Sequence, residues 1–314
     1  MPLDPNAQPV LELMADALRI ETDATPAQVR AAMNALTSAE VMPKQPVYDV
    51  SDRAVPGPDG PIPVRVYRPA DGGGLPVLVW LHGGGWVIGN LDTHDQLCRL
   101  LCDATGALVV SVDYRLAPEH KFPAAVDDAV AAYEWATLHV AEIGGDPTRI
   151  AIGGDSAGGN LAAVVPLVAR DRNLPMPKLQ LLVYPVTDHD FESPSMIDNA
   201  KGYGLETEHM DWFFEHYARR ASDFDDWRLS PMRAADVSGL APALVITAEM
   251  DPLRDQGEAY GRRLAEAGVE SEVLRADGLF HGFFGLHAFV PSAQAVWERA
   301  ISKLRAALGN EQQR

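Results

Sequence analysis

A serine set between glycines, where an apolar run gives way to a helix, constrains this chain more than any other feature. The segment Arg149-Ile150-Ala151-Ile152 reads as a short buried strand, and Asn160-Leu161-Ala162-Ala163-Val164-Val165 as a helix packed on a sheet. Between them stands Gly153-Gly154-Asp155-Ser156-Ala157-Gly158-Gly159. A turn this tight leaves no room for side chains at the flanking positions, which is why glycine lies two residues to either side of Ser156. The turn pushes the Ser156 hydroxyl clear of the backbone, and the new helix aims its first N–H groups at the same point. This G-x-S-x-G pattern is the elbow that presents a serine nucleophile. Taken alone it is equally a glycine-rich helix start, so the remaining chain has to supply the partners such a serine needs.

Apolar strands surround it in a regular rhythm. Residues 76–81 and 107–112 are nearly continuous apolar runs with a helix between them at 93–104. The alternation continues with helix 123–139, strand 149–153, helix 157–170 and strand 179–184, then strand 243–248, helix 255–267, strand 270–275 and helix 291–307. Continuous apolar strands separated by helices indicate a parallel sheet covered on both faces. Strands 47–50 and 62–68, flanking the turn-rich Pro56-Gly57-Pro58-Asp59-Gly60, predict a hairpin-like start. Core segments are therefore expected over 46–187 and 231–314.

Two stretches fall outside that rhythm. Residues 5–38 carry apolar stripes at helical spacing (Val10, Leu11, Met14 and Leu18, then Val29, Met33 and Leu36), with Thr25-Pro26 as a helix start. Residues 1–45 are thus expected to form a helical cap segment, with a plain docking arm as the alternative. Residues 188–230 are rich in aromatic and charged residues and lie between two core strands. A cap insertion there would rise from the carboxyl edge of the sheet, where ligands bind in open α/β folds; an ordinary long crossover is the alternative.

A serine nucleophile needs a base, an acid to orient that base, and donors for the oxyanion. His281 follows strand 270–275 across the short loop Ala276-Asp277-Gly278-Leu279-Phe280, at the same sheet edge as Ser156. Asp251 follows strand 243–248 at that edge, with Asp255 and Glu249 as competitors. Donors are expected from His82-Gly83-Gly84-Gly85-Trp86, directly after strand 76–81: the N–H groups of Gly83 and Gly84, joined by Ala157. His82 itself reads as an orienter of the loop. Arg115 and Glu119 are expected to pin the loop after strand 107–112, Asp113 to hydrogen-bond near the oxyanion loop, and Asp155 to order its neighbours. Trp86, Trp212, Phe213, Tyr217 and Phe283 are candidate pocket walls.

Composition narrows the partners. A formal net charge of -18 argues against nucleic acid and anionic membranes, which bind basic patches. No apolar run reaches the roughly 20 residues needed to span a bilayer, and Met1-Pro2-Leu3-Asp4-Pro5 lacks the form of a signal peptide; a cytoplasmic protein is expected. Cys98 and Cys102, four apart, lack the spacing of a zinc site and read as packing residues. Neither G-x-G-x-x-G nor a P-loop occurs, which disfavours a nucleotide-binding protein.

The segments His82 to Trp86, Asp113-Tyr114-Arg115-Leu116-Ala117-Pro118-Glu119, Gly154 to Asn160, Asp251-Pro252-Leu253 and His281-Gly282-Phe283 together resemble the hormone-sensitive-lipase-like family of carboxylesterases. The resemblance runs from about residue 45 to the end, and the N-terminal helices resemble that family's cap. It implies an α/β-hydrolase fold with a mostly parallel eight-stranded sheet, a Ser156–His281–Asp251 triad and a small ester substrate. It also implies that no metal or cofactor is needed, and it suggests a homodimer. Glu249-Met250 before Asp251 and Gly278-Leu279-Phe280 before His281 depart from the family's commonest wording without removing a catalytic group. The expected reaction is hydrolysis of short- to medium-chain acyl esters through an acyl-enzyme. Lipase or amidase action uses the same triad, and a non-catalytic ligand receptor on the same scaffold is the rival from another class.

Overall fold

Among the described residues, eight strands form one sheet in the order β1-β2-β4-β3-β5-β6-β7-β8. The computed structural model describes residues 2–17, 24–38 and 43–310. Strands β1 (Asp49–Gly57) and β2 (Gly60–Arg68) form an antiparallel hairpin, and β2 runs antiparallel to β4 (Leu108–Val112). From β4 onward every pairing is parallel, through β3 (Leu75–Leu81), β5 (Gly145–Asp155), β6 (Gln180–Val183), β7 (Ala243–Met250) and β8 (Ser271–Phe280).

The continuous apolar strands are what a sheet buried on both faces requires. Along β3, Val77, Val79 and Leu81 enter one core cluster, and Leu78 and Trp80 enter the other. Helices α4 (Ala124–His139) and α5 (Ala157–Arg172) cover the first face. Helices α3 (Asp95–Thr105) and α9 (Gln294–Ala307) cover the second, and α8 (Arg254–Glu266) packs over β7 and β8. Cys98 and Cys102 are free and buried on α3.

Two strand boundaries differ from the sequence expectation. Strand β1 extends to Gly57 rather than stopping at residue 50, because it is an edge strand whose mostly exposed residues carry little apolar signal. Strand β8 continues through the segment expected as a loop and ends at Phe280. A register shift between Ala248 and Met250 absorbs the irregularity, and Met250 then pairs with Phe280.

The N-terminal helices α1 (Gln8–Ala17) and α2 (Pro26–Ser38) dock on different parts of the core. Leu11 joins the cluster of the second face, and Asp4 N–H bonds to Gly278 O beside the end of β8. Val29 joins the first cluster. Helix α2 starts with a reciprocal cap: Thr25 N–H donates to Gln28 Oε1 at 2.9 Å, and Gln28 N–H to Thr25 Oγ1 at 3.4 Å. Leu18 of the expected stripe lies outside the described residues. On α2, Arg30 donates to Val87 O and Ala117 O, each at 2.7 Å, and pairs with Glu119 at 2.7 Å. In the 188–230 block, α6 (Pro194–Asp198) and α7 (Thr207–Tyr217) are joined by irregular backbone. Trp212 Nε1–H on α7 donates to Ala24 O at 3.2 Å, so this block touches the segment leading into α2.

Candidate active site

The register of the parallel strands decides which residues meet at the carboxyl edge. Met250 pairs with Phe280, so the next residues, Asp251 and His281, emerge side by side. His281 Nδ1 lies 2.8 Å from Asp251 Oδ2. Asp251 is fully buried, and its Oδ1 accepts the Leu253 N–H at 2.8 Å, so both carboxylate oxygens have a fixed partner. The Tyr184 ring, 4.4 Å from the imidazole, holds its other side. The competitors are spent elsewhere. Asp255 accepts the Ser195 N–H at 2.8 Å and pairs with Arg254, pinning α6, and Glu249 accepts the Gly278 N–H at 2.6 Å.

Ser156 sits between β5 and α5 with φ 56° and ψ -118°, backbone angles that L-residues seldom adopt. Its N–H donates to Val183 O at 2.9 Å, which ties the elbow to the end of β6. Glycine is needed beside it: a Cβ on Gly158 would lie 1.9 Å from Leu81 O.

The loop after β3 departs from expectation in one respect. The Gly83 N–H is turned toward Asp155 Oδ1, at 3.1 Å, and so is not free for a substrate oxygen. Among the described residues the N–H groups of Gly84, Gly85 and Ala157 have no acceptor. Gly84 (φ 114°) and Gly85 (φ 57°) carry the turn, and a Cβ on Gly85 would fall 2.1 Å from the Phe213 ring. Beneath the loop the His82 ring is fully buried and stacked on Tyr114 at 4.2 Å, and Tyr114 Oη donates to His82 O at 2.6 Å.

Three expected pocket walls are core residues. Trp86, Tyr217 and Phe283 are fully buried; Trp86 stacks on Tyr217 at 4.3 Å, and Phe283 packs edge-on to Tyr184. Large aromatic rings bury well against one another, and these do so under the loop and the imidazole. Trp212 and Phe213 keep a sliver of exposure on α7, with Phe213 against Gly85. Gly85, whose N–H has no acceptor among the described residues, and Tyr184, against the imidazole, also lie at this edge; in the sequence only the glycine run marks the first.

Arg115 does pin its loop, bonding Asp128 through Nε and Nη2, each at 2.8 Å, whereas Glu119 reaches Arg30 on α2. Asp113 differs: among the described residues its carboxylate accepts no hydrogen bond, and only its N–H is paired, to Pro63 O. Burial, with Asp92 and Asp52 outweighing Arg65, pushes the Asp113 carboxyl up to about 6. From the usual aspartate range up to that value the folded chain keeps a proton the unfolded chain has lost. Stability therefore falls as pH rises through this window and stays lower above it. Asp113→Asn is expected to add ~1–3 kcal/mol near pH ~8 and nothing below about pH 4, read by urea unfolding at both values.

Among the described residues, Glu206, Glu208 and His209 are close enough to share a metal ion, but His209 Nδ1 accepts the Glu206 N–H at 3.2 Å and Glu206 accepts the Gly202 N–H, so the group serves as a helix cap. No described helix is long and apolar enough to cross a membrane.

Known proteins resemble this chain along most of its length. A model of the α/β hydrolase fold family matches residues 78–285. The carboxylic ester hydrolase LipN of Mycobacterium tuberculosis is 46% identical over 318 residues, spanning 98% of this chain and 83% of that protein. The carboxylesterase NlhH of the same organism is 42% identical over 97% of each chain. Among solved structures, a hyperthermophilic esterase from the archaeon Pyrobaculum calidifontis superposes with a TM-score of 0.92 at 41% identity, covering 98% of this chain and 99% of that one.

Proposed function

This chain belongs to the α/β-hydrolase fold family, in its hormone-sensitive-lipase-like esterase branch, and we propose that it is a carboxylesterase hydrolysing short- to medium-chain acyl esters through Ser156, His281 and Asp251. The observation that carries the reading is the 2.8 Å bond between His281 Nδ1 and Asp251 Oδ2, at the sheet edge where the strained Ser156 also stands. Asp251 Oδ2 accepts the hydrogen bond from Nδ1–H, which leaves the Nε2 lone pair as the base.

His281 Nε2 removes the Ser156 proton as Oγ attacks the ester carbonyl carbon. The C–O double bond opens to an oxyanion, and Asp251 stabilises the imidazolium. The free N–H groups of Gly84, Gly85 and Ala157 supply the oxyanion donors, Gly83 being engaged by Asp155. The tetrahedral intermediate collapses with cleavage of the ester C–O bond, and the alcohol leaves with the proton from His281. Water then repeats the sequence on the acyl-enzyme, so ester and water balance the reaction.

Helices α1 and α2 and the 188–230 block form the cap over this edge in our reading, with Trp212 and Phe213 as its contribution to the acyl pocket. Among the described residues, the large exposed apolar side chains (Leu13, Tyr48, Leu138, Ile197, Val273, Phe289) come from separate segments of the chain, which favours an esterase over a lipase. A fluorophosphonate probe is expected to attach to Ser156, located by peptide mass spectrometry, and p-nitrophenyl butyrate to be turned over faster than a long-chain triglyceride emulsion. Labelling confined to another residue would refute the assignment of the nucleophile.

A further inference from the structure

Asp251 stands where the sheet stops supporting its strand. The pairing of β7 with β6 ends at Ile246, and the ladder to β8 shifts register between Ala248 and Met250. From Thr247 onward β7 therefore has β8 alone beside it among the described residues, in an irregular register. Support comes from α6, in the block between β6 and β7. The Asn199 side chain, at the end of α6 and 5% exposed, puts Nδ2 3.2 Å from Glu249 O and 3.2 Å from Asp251 O. Carbonyl oxygens only accept, so the NH₂ end faces them, one hydrogen to each. Ser195, one turn earlier and fully buried, donates its hydroxyl to Pro252 O at 2.7 Å and accepts the Asp255 N–H at 3.1 Å. Its own N–H goes to Asp255 Oδ2 at 2.8 Å. Asn199 N–H bonds Ser195 O at 3.0 Å, so one turn of helix carries both side chains.

The Asp251 carboxylate travels with the segment that α6 grips. Arg254 N–H donates to Asp251 O at 3.2 Å, closing a turn, and Leu253 N–H donates to Asp251 Oδ1 at 2.8 Å, tying the side chain to that same turn. Pro252 has a fixed φ and narrows the backbone choices of Asp251 before it. No glycine interrupts residues 249–255. A segment with so little internal freedom shifts as one piece, and a shift changes the 2.8 Å separation of Oδ2 from the His281 ring.

We propose that α6 braces the acid of the triad and that Asn199 is a positioning residue, acting on the reaction through the Asp251 turn and its bond to His281. The inference rests on the reading of Asp251 as the acid. Removing the Asn199 amide orphans neither carbonyl: Glu249 O also accepts from Arg254 Nη1 at 3.1 Å, and Asp251 O from the Arg254 N–H. The fold is therefore expected to survive, and the cost to fall on the geometry at the imidazole. A side chain acting through Asp251 alone lowers kcat when removed and leaves KM in place.

The test is a double-mutant cycle on p-nitrophenyl butyrate. Asn199→Ala is expected to lower kcat about tenfold, with KM changed less than about threefold. In an Asp251→Asn background the same change should cost less than about twofold, because no carboxylate is left to position. The tenfold loss persisting in that background overturns the proposal, since Asn199 would then act elsewhere; so does a raised KM with kcat kept. Should Asn199→Ala fail to fold, Ser195→Ala, which removes the bonds to Pro252 O and from the Asp255 N–H, enters the same cycle. It is expected to lower kcat in the wild-type background and to add nothing beside Asp251→Asn, and any other pattern overturns the brace. An Asp251→Asn variant that loses less than about tenfold would sink the reading of the acid itself. A crippled Asp251→Asn beside a wild-type-like Asn199→Ala would sink this inference alone.

Discussion

Ser156→Ala is expected to lower kcat on p-nitrophenyl butyrate by about 10⁶-fold, with KM little changed and the thermal midpoint kept or slightly raised. The reason lies in the division of labour at the elbow. Alanine keeps the Cβ and the backbone bond from residue 156 to Val183 O, so nothing in the packing of β5 against α5 changes. What goes is the oxygen that forms the covalent bond. Water placed by the remaining base and donors still gains roughly 10³-fold over bulk solution, so a residual rate is expected and must be separated from contaminating esterase by its pH profile and by its insensitivity to fluorophosphonate. Retention of more than a small fraction of wild-type turnover would mean that another group attacks the ester.

Asp251→Asn is expected to cost about 10⁴-fold in kcat at neutral pH. Asp251 Oδ1 is already committed to the Leu253 N–H, so an asparagine there keeps its oxygen toward Leu253 and turns its NH₂ toward His281. An NH₂ cannot accept from Nδ1–H, so the imidazole is driven to the tautomer with its proton on Nε2, the atom that should serve as base. Neither neighbour takes over: Asp255 is bound by Ser195 and Arg254, and Glu249 by Gly278. A loss of less than about tenfold would show that the Asp251–His281 bond orients nothing the reaction needs.

The legible parts of the chain were those where one physical demand dominates. A strand buried on both faces must be apolar throughout, so β3, β4 and the centre of β5 stand out. Ser156, with glycine two residues away on each side, is legible because the Gly158 position meets Leu81 O at a distance no side chain tolerates. Where two demands compete, the sequence misleads. Asp277-Gly278 has turn chemistry, yet Gly278 lies within β8 with φ 68°, close against Asp4. A run of three glycines cannot disclose which amide is already spent; that is decided by Asp155, 72 residues away. An aromatic residue reads alike whether it lines a pocket or fills a core, so Trp86 and Phe283, beside the glycine loop and the histidine, and Tyr217, in the 188–230 block, are expected as walls and found buried.

The Arg30 side chain has a bearing on how such enzymes can be recombined. One guanidinium on α2 binds the carbonyls of Val87 and Ala117 and the carboxylate of Glu119. The first thirty-odd residues are therefore not an interchangeable module. A graft of a foreign N-terminal segment that brings no substitute for this side chain strips Val87 of its donor, and the turn that starts at Gly84 loosens although every reacting group is intact. Chimeras should be spliced so that residue 30 and its three acceptors descend from the same parent.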